Sequence, residues 1–117
     1  MGRSNTLLHG ALDALILRTL TGEPRHGYAI ARWLESETDQ ALRIEEGSLY
    51  PALYRLEERG WVEAEWGVSE LGRSAKFYRL TPEGRAQLVT RTREWEVFAS
   101  AVSRILLGPA GPAGAVG

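Results

Sequence analysis

Between residues 61 and 80 the hydrophobic pattern of this chain alternates with a period of two, whereas the stretches before and after it repeat at helical spacing. Trp61, Glu63 and Glu65 oppose Val62, Ala64 and Trp66, which reads as a half-exposed strand over Trp61–Trp66. Ala75–Leu80 reads as its partner, and Gly67–Ser74 between them forms a hairpin tip with glycines near both ends. The fold must therefore set one small hairpin among helices.

The helices come in a definite order. Asn5–Leu20 has apolar residues at 8, 11, 12, 15, 16 and 19/20, with Ser4, Asn5 or Thr6 as its cap. Leu7 and Leu17 widen the stripe beyond one face, and Thr21-Gly22-Glu23-Pro24 ends the helix. A second helix over about 27–37 carries Tyr28, Ile30, Ala31 and Leu34, and the polar stretch Ser36–Gln40 follows it. A third begins near Gly47-Ser48 and stops at Arg59-Gly60, with Leu49, Ala52, Leu53 and Leu56 on one side. Pro51 fits that helix only if it has just begun there.

After the hairpin, Thr81-Pro82-Glu83 supplies an N-cap, a proline at the first helical position and an acid in the first turn. The helix it opens runs to about Leu107. Gly108–Gly117 contains only Gly, Ala, Pro and Val116 and reads as a disordered tail. Three helices, a hairpin and a long helix predict a mainly α fold with a small β-hairpin wing. Residues 5–81 would form a winged helix-turn-helix and 82–107 a C-terminal dimerisation helix, with 108–117 as the tail.

Composition narrows the function classes. A length of 117 residues, 44% of them hydrophobic and 25% charged, fits one ordinary soluble domain. There is no cysteine, which excludes disulfides and thiolate metal sites, and His9 and His26 stand far apart. No metal and no cofactor is expected. No nucleophile–base pair, phosphate loop or metal-ligand spacing is visible, so the chain does not read as an enzyme. The N-terminus lacks a basic stretch leading into a long apolar run. Leu12–Leu20, the longest strongly apolar segment, is broken by Asp13, Arg18 and Thr19 and is too short to span a bilayer. A cytoplasmic protein with no membrane partner is the expectation.

Fourteen basic residues face fifteen acidic ones, a net charge of −1, so the basic excess usual in nucleic-acid binders is missing. Where the charges lie in space matters more than their sum. All the basic residues except Lys76 are arginines, which suit both bidentate contacts and surface ion pairs.

In a helix-turn-helix the second helix of the unit enters the major groove, and here that is the third helix of the chain. With Leu49, Ala52, Leu53 and Leu56 buried, a turn of about 100° per residue exposes Gly47, Ser48, Tyr50, Pro51, Tyr54, Arg55 and Glu58. Gly47 permits close backbone approach, and Ser48 can cap the helix or donate to phosphate. Tyr50 and Tyr54 offer hydroxyls and flat surface for thymine methyls, while Arg55 can reach guanine or phosphate. The competing reading is a plain solvated helix face, for which two tyrosines and a proline are an odd choice. Arg73 and Lys76 flank the hairpin tip and Arg79 lies further along. Alternation puts Lys76 and Tyr78 on one face and Phe77 and Arg79 on the other. Such residues either contact the DNA backbone or minor groove, or are simply solvated. His26, at a helix start beside a glycine, reads as a cap or packing residue rather than a pH sensor or metal ligand.

The sequence resembles the PadR-type transcriptional regulators. The matching elements are Pro24-Arg25-His26-Gly27-Tyr28, Gly47-Ser48-Leu49-Tyr50-Pro51-Ala52-Leu53, Arg55-Leu56-Glu57, Gly60, Trp66, Glu70, Gly72-Arg73, Lys76-Phe77-Tyr78 and Leu80-Thr81-Pro82-Glu83-Gly84. They run in order from about residue 7 to 107. The resemblance, closest to the smaller subgroup with a single C-terminal helix, implies a homodimer with one winged helix per subunit, usually a repressor at a palindromic operator. It implies DNA contacts at Ser48, Tyr50, Pro51, Arg55, Arg73 and Lys76, with Tyr28 anchoring the second helix near a phosphate. Ser74-Ala75 departs from the family, which often has another basic pair there, and implies a weaker wing contact.

In the last helix Trp95, Phe98, Val102 and Ile105 recur at spacings of three and four, with Leu88 one heptad before Trp95, a seam for another helix. A partner subunit is its natural cover, and packing within one chain is the alternative. Some members of the resembled family bind flat aromatic compounds between subunits beside a tryptophan of this helix. Trp95, with Leu8, Ala11 and Leu15 of the first helix, would line such a space, unless Trp95 is plain dimer core. The leading expectation is thus a homodimeric, sequence-specific repressor that binds double-stranded DNA; release by a small aromatic effector is a secondary reading, behind Trp95 as plain dimer core. The alternative is a winged-helix protein–protein module, favoured if Glu45, Glu46, Glu57 and Glu58 crowd the recognition surface.

Overall fold

The computed structural model describes residues 11–109. The expected helix start at Asn5, its caps Ser4, Asn5 and Thr6, Leu8, and residues 110–117 of the expected tail lie outside the described residues. The elements are α1 (Leu12–Thr19), β1 (Arg25–His26), α2 (Gly27–Glu37), α3 (Glu46–Glu58), β2 (Val62–Val68), β3 (Ser74–Leu80) and α4 (Pro82–Leu106). The result is mostly helical, with a small antiparallel sheet and a long last helix.

Apolar faces of all these layers meet in one core. Ile16 and Leu17 of α1, Ile30 and Leu34 of α2, and Leu49, Leu53 and Leu56 of α3 are buried against Val62, Tyr78, Leu80 and Leu88. Each fully buried aliphatic side chain contributes about 1.5–3 kcal/mol, and this sum is what holds the short helices in place. α1 ends where the Arg25 side chain crosses back, its Nε donating to the Thr19 carbonyl at 2.9 Å. α2 starts at a cap made by His26, whose Nδ1 accepts the Ala29 N–H at 3.2 Å. The turn into α3 uses left-handed backbone at Asp39 and Gln40 (φ 51° and 67°), and Glu35 Oε2 accepts the Ile44 N–H at 3.0 Å to tie its far end.

Three details differ from the sequence expectation. The sheet has three strands in the order β1-β3-β2, because Arg25 and His26 pair with Tyr78 and Phe77. A two-residue strand between Pro24 and Gly27 is too short to show a period. The hairpin is also longer, with Val68 paired to Ser74, so the tip shrinks to Ser69–Arg73. There the Gly72 N–H reaches the Ser69 carbonyl at 2.8 Å, and Gly72 takes the positive φ (78°) the turn requires. Finally, α3 begins at Glu46, so Pro51 is its sixth residue rather than part of its first turn. Pro51 has no N–H for the Gly47 carbonyl four residues back. Both residues are exposed, so water can satisfy that carbonyl.

Thr81 joins the two halves of the chain. Its Oγ1 accepts the Gly84 N–H at 2.9 Å and donates to the Gly60 carbonyl at 2.8 Å, capping α4 against the end of α3. A Cβ at Gly84 would run into the Trp61 carbonyl, so this close approach requires glycine. Beyond Gly84 and Leu88 no residue of α4 is buried. The helix projects from the core, and the extents with it included are 56 × 29 × 21 Å. Among the described residues no helix is long and apolar enough to cross a membrane.

Candidate nucleic-acid interface

α3 presents the face that its periodicity predicts. Leu49, Ala52, Leu53 and Leu56 are buried, Gly47, Tyr50, Pro51, Tyr54, Arg55 and Glu58 are exposed, and Ser48 is half-buried. Of the two tyrosines Tyr54 stands further out, 65% exposed. Tyr50 leans against the start of α2: a Cβ on Gly27 would lie 2.7 Å from both its Cε1 and its hydroxyl oxygen. Gly27 is therefore what lets the recognition face and the N-terminus of α2 share one surface. A helix N-terminus favours anions through its dipole and free N–H groups. Burial, and then the nearby Glu46 carboxylate, push the Tyr50 hydroxyl up from its ordinary pKa, so it remains a neutral donor. Tyr28 sits exposed in the first turn of α2, where Arg32 Nη1 donates to its hydroxyl at 2.7 Å.

The basic residues are arranged less simply. Arg55 turns to the α1 side, where its Nη2 donates to Asp13 Oδ1 at 2.9 Å, and Arg59 Nη1 lies 3.9 Å from Oδ2 of the same carboxylate. On the opposite flank Lys76 Nζ is 3.2 Å from Glu57 Oε1 and 5.8 Å from the Tyr78 ring centre. That hydrogen bond to Glu57 is the main reason the Lys76 ammonium is pushed up from its ordinary pKa. Arg79, on the other sheet face, pairs with Glu63 at 2.7 Å and Glu65 at 3.6 Å. Arg73 is exposed at the wing tip and forms no ion pair among the described residues. Half-exposed pairs of this kind are worth roughly 0–1 kcal/mol, so a phosphate can displace the carboxylate at small cost. Glu46 and Glu58 add exposed negative charge to α3 itself.

Residues 16–90 match the model of the transcriptional regulator PadR-like family. This chain belongs to that family. A transcriptional regulator of Mycobacterium tuberculosis is 41% identical over 71 residues, covering 60% of this chain and 65% of the relative. Among solved structures, a transcriptional regulator from Clostridium thermocellum is 30% identical with a TM-score of 0.77, covering 85% of this chain and 96% of that one. A PadR-like transcriptional regulator from Bacillus cereus is 29% identical with a TM-score of 0.73, covering 86% and 96%. The winged-helix architecture with its long C-terminal helix is shared with these structures.

In this PadR-like chain nothing among the described residues covers the outer part of α4. Trp95 is 55% exposed, Phe98 60% and Ile105 77%, Val102 is half-buried, and the Trp95 and Phe98 ring centroids are 6.0 Å apart. Ala11 and Leu15 of the α1 region are half-buried, Leu15 resting on the core. The described residues do not enclose Trp95. Two concavities of the described residues run along Leu80, Pro82, Arg85, Ala86 and Val89, and along Pro24, Trp66, Gly67 and Phe77.

Sequence reasoning missed the carboxylates that hold the basic residues. Asp13 left a trace, as the acid interrupting the apolar run Leu12–Leu20, but its partner Arg55 is 42 residues away. It also missed the contact between Gly27 and Tyr50, and the approach of Glu70 to His26.

Proposed function

We propose that this PadR-like chain is a cytoplasmic, sequence-specific DNA-binding regulator that acts as a homodimeric repressor at a palindromic operator. The observation that carries this reading is the continuity of one surface. The outward face of α3 meets the N-terminus of α2 at the Gly27–Tyr50 contact and meets the wing at the Glu57–Lys76 pair. α3 then lies in the major groove, with Gly47, Ser48, Tyr50, Pro51, Tyr54 and Arg55 toward base edges and Tyr28 at a backbone phosphate. Arg73 and Lys76 meet the backbone beside it. In this division residues 5–81 read DNA and the helix at 82–107 pairs the subunits.

The bare stripe of Trp95, Phe98, Val102 and Ile105 supports the dimer, since a second copy is the simplest cover for a repeated apolar seam. A flat aromatic effector would fit the same region between two copies, with Leu8, Ala11 and Leu15 among its walls, because the described residues of one chain leave Trp95 open.

One observation favours a second reading. Glu46, Glu57 and Glu58 place negative charge on and beside the α3 face, which suits a winged-helix protein–protein module that has lost DNA binding. Selection of duplexes from a randomised pool by the full-length protein separates the two. Enrichment of two inverted half-sites about 10 base pairs apart is expected of the repressor. A pool that stays random after repeated rounds contradicts it and leaves the module.

A further inference from the structure

The pair between α1 and α3 has features that an incidental surface contact lacks. Asp13 is largely enclosed, its side chain 17% exposed, while the Arg55 side chain is 46% exposed. One carboxylate serves two guanidinium groups one helical turn apart, Oδ1 taking Arg55 at 2.9 Å and Oδ2 lying 3.9 Å from Arg59. Arginine has five N–H donors, and only Nη2 of Arg55 is committed to Asp13. The rest of its planar fork has no partner among the described residues and lies at the edge of the face that carries Tyr54 and Pro51. An arginine on a bare helix samples many rotamers, and fixing one edge in advance removes most of that freedom before a ligand arrives.

We propose that Asp13 is a positioning residue for base discrimination: it holds Arg55 so that the free edge of the guanidinium meets one base of the operator. This rests on the DNA-binding reading above. It also gives α1 a direct ionic handle on the recognition helix. Leu15 of α1 and Ala11, its N-cap residue, lie in the region proposed to meet the second subunit, so a shift of α1 would move the carboxylate to which Arg55 is fastened.

The test uses the full chain and a duplex selected by the wild-type protein from a randomised pool, with a scrambled duplex of the same length. Asp13→Asn keeps the shape and removes the charge. The expected result is a roughly tenfold fall in the preference for selected over scrambled DNA, with scrambled binding nearly unchanged. Arg55→Ala should give a similar fall, and Asp13→Asn should add nothing further in the Arg55→Ala background. Asp13→Glu, which restores a carboxylate, should recover most of the preference even if Asp13→Asn lowers the melting temperature. Equal weakening toward both duplexes, a loss that persists without Arg55, or no recovery with Glu overturns the proposal. A wild-type protein that selects no sequence overturns the DNA-binding reading and this proposal together. Wild-type selectivity that survives Asp13→Asn overturns the proposal alone.

Discussion

The imidazole of His26 caps α2 with one nitrogen and faces the wing with the other. Nδ1 accepts the Ala29 N–H at 3.2 Å, so the neutral ring carries its proton on Nε2, which stands 3.6 Å from Glu70 Oε1. The ring is held edge-on to Phe77 of β3, with centroids 5.2 Å apart. One side chain thus sits between the start of α2 and the tip of the wing, its Nε2 near Glu70 but beyond hydrogen-bond distance. Replacing His26 by Ala removes a cap, and about 1 kcal/mol of stability should go with it in urea unfolding.

The wing side of this link depends on pH. Its own backbone N–H, and then the His26 imidazole, hold the Glu70 carboxyl below the ordinary carboxylate range. A lowered carboxylate pKa stabilises the folded form above the unfolded value, and that contribution disappears as pH falls through the folded one. Amide hydrogen exchange over residues 67–75 should therefore be slow at neutral pH and faster in Glu70→Gln at the same pH. Identical exchange in the two proteins would show that the wing tip is held by its hairpin alone.

Gly27 is the second sensitive point. A methyl there would press on the hydroxyl end of Tyr50, which must then swing out of the surface it shares with α2. Gly27→Ala should cost about 1–3 kcal/mol or displace Tyr50, and in either case weaken DNA binding. The double variant Gly27→Ala with Tyr50→Ala should recover the stability without recovering the binding. Full binding by Gly27→Ala would mean that Tyr50 has no place at the interface.

Lys76 and Arg55 should behave differently on DNA. In the proposed docking Lys76→Ala removes a phosphate partner, so it should weaken binding to all sequences alike and make the salt slope shallower by about one. Glu57→Gln frees the same ammonium from its internal partner and should strengthen binding to all sequences. If both variants bind like wild type, the wing does not touch the backbone.

The exposed seam on α4 makes a prediction about assembly. Phe98→Glu places a charge at its centre, 60% exposed in one chain and buried if two chains meet there. Sedimentation velocity should then show a monomer, with operator affinity reduced by far more than a single contact, because two half-sites no longer act together. A Phe98→Glu protein that sediments like wild type would move the subunit contact elsewhere.

Much of this molecule was legible in its sequence, for physical reasons that are easy to identify. The buried faces of α2 and α3 follow from period alone, since Ile30, Leu34, Leu49, Leu53 and Leu56 recur at helical spacing. The start of α4 follows from Thr81-Pro82, where cap and proline chemistry are local. The cap reading of His26 holds for the same reason. What stayed hidden depends on residues distant in sequence. β1 is two residues long and exists only because β3 lies beside it. The register of α3 turns on which residue caps it, and Glu45 has no side-chain cap bond to announce it, so Pro51 falls deeper in the helix than expected. Asp13 with Arg55, and Glu57 with Lys76, were invisible as pairs because charges carry no periodic signal. They change the electrostatics of the site from free cations to cations already held by carboxylates.

The central claim is that the α3 face and the wing together bind a specific duplex. Fluorescence anisotropy with a duplex from upstream of the gene, against a scrambled competitor at two salt concentrations, tests it most directly. The account predicts binding that survives the competitor and a log–log salt slope of roughly −5 to −7, from about six to eight phosphate contacts per dimer. Binding equally shared with the scrambled duplex, or binding indifferent to salt, would contradict it.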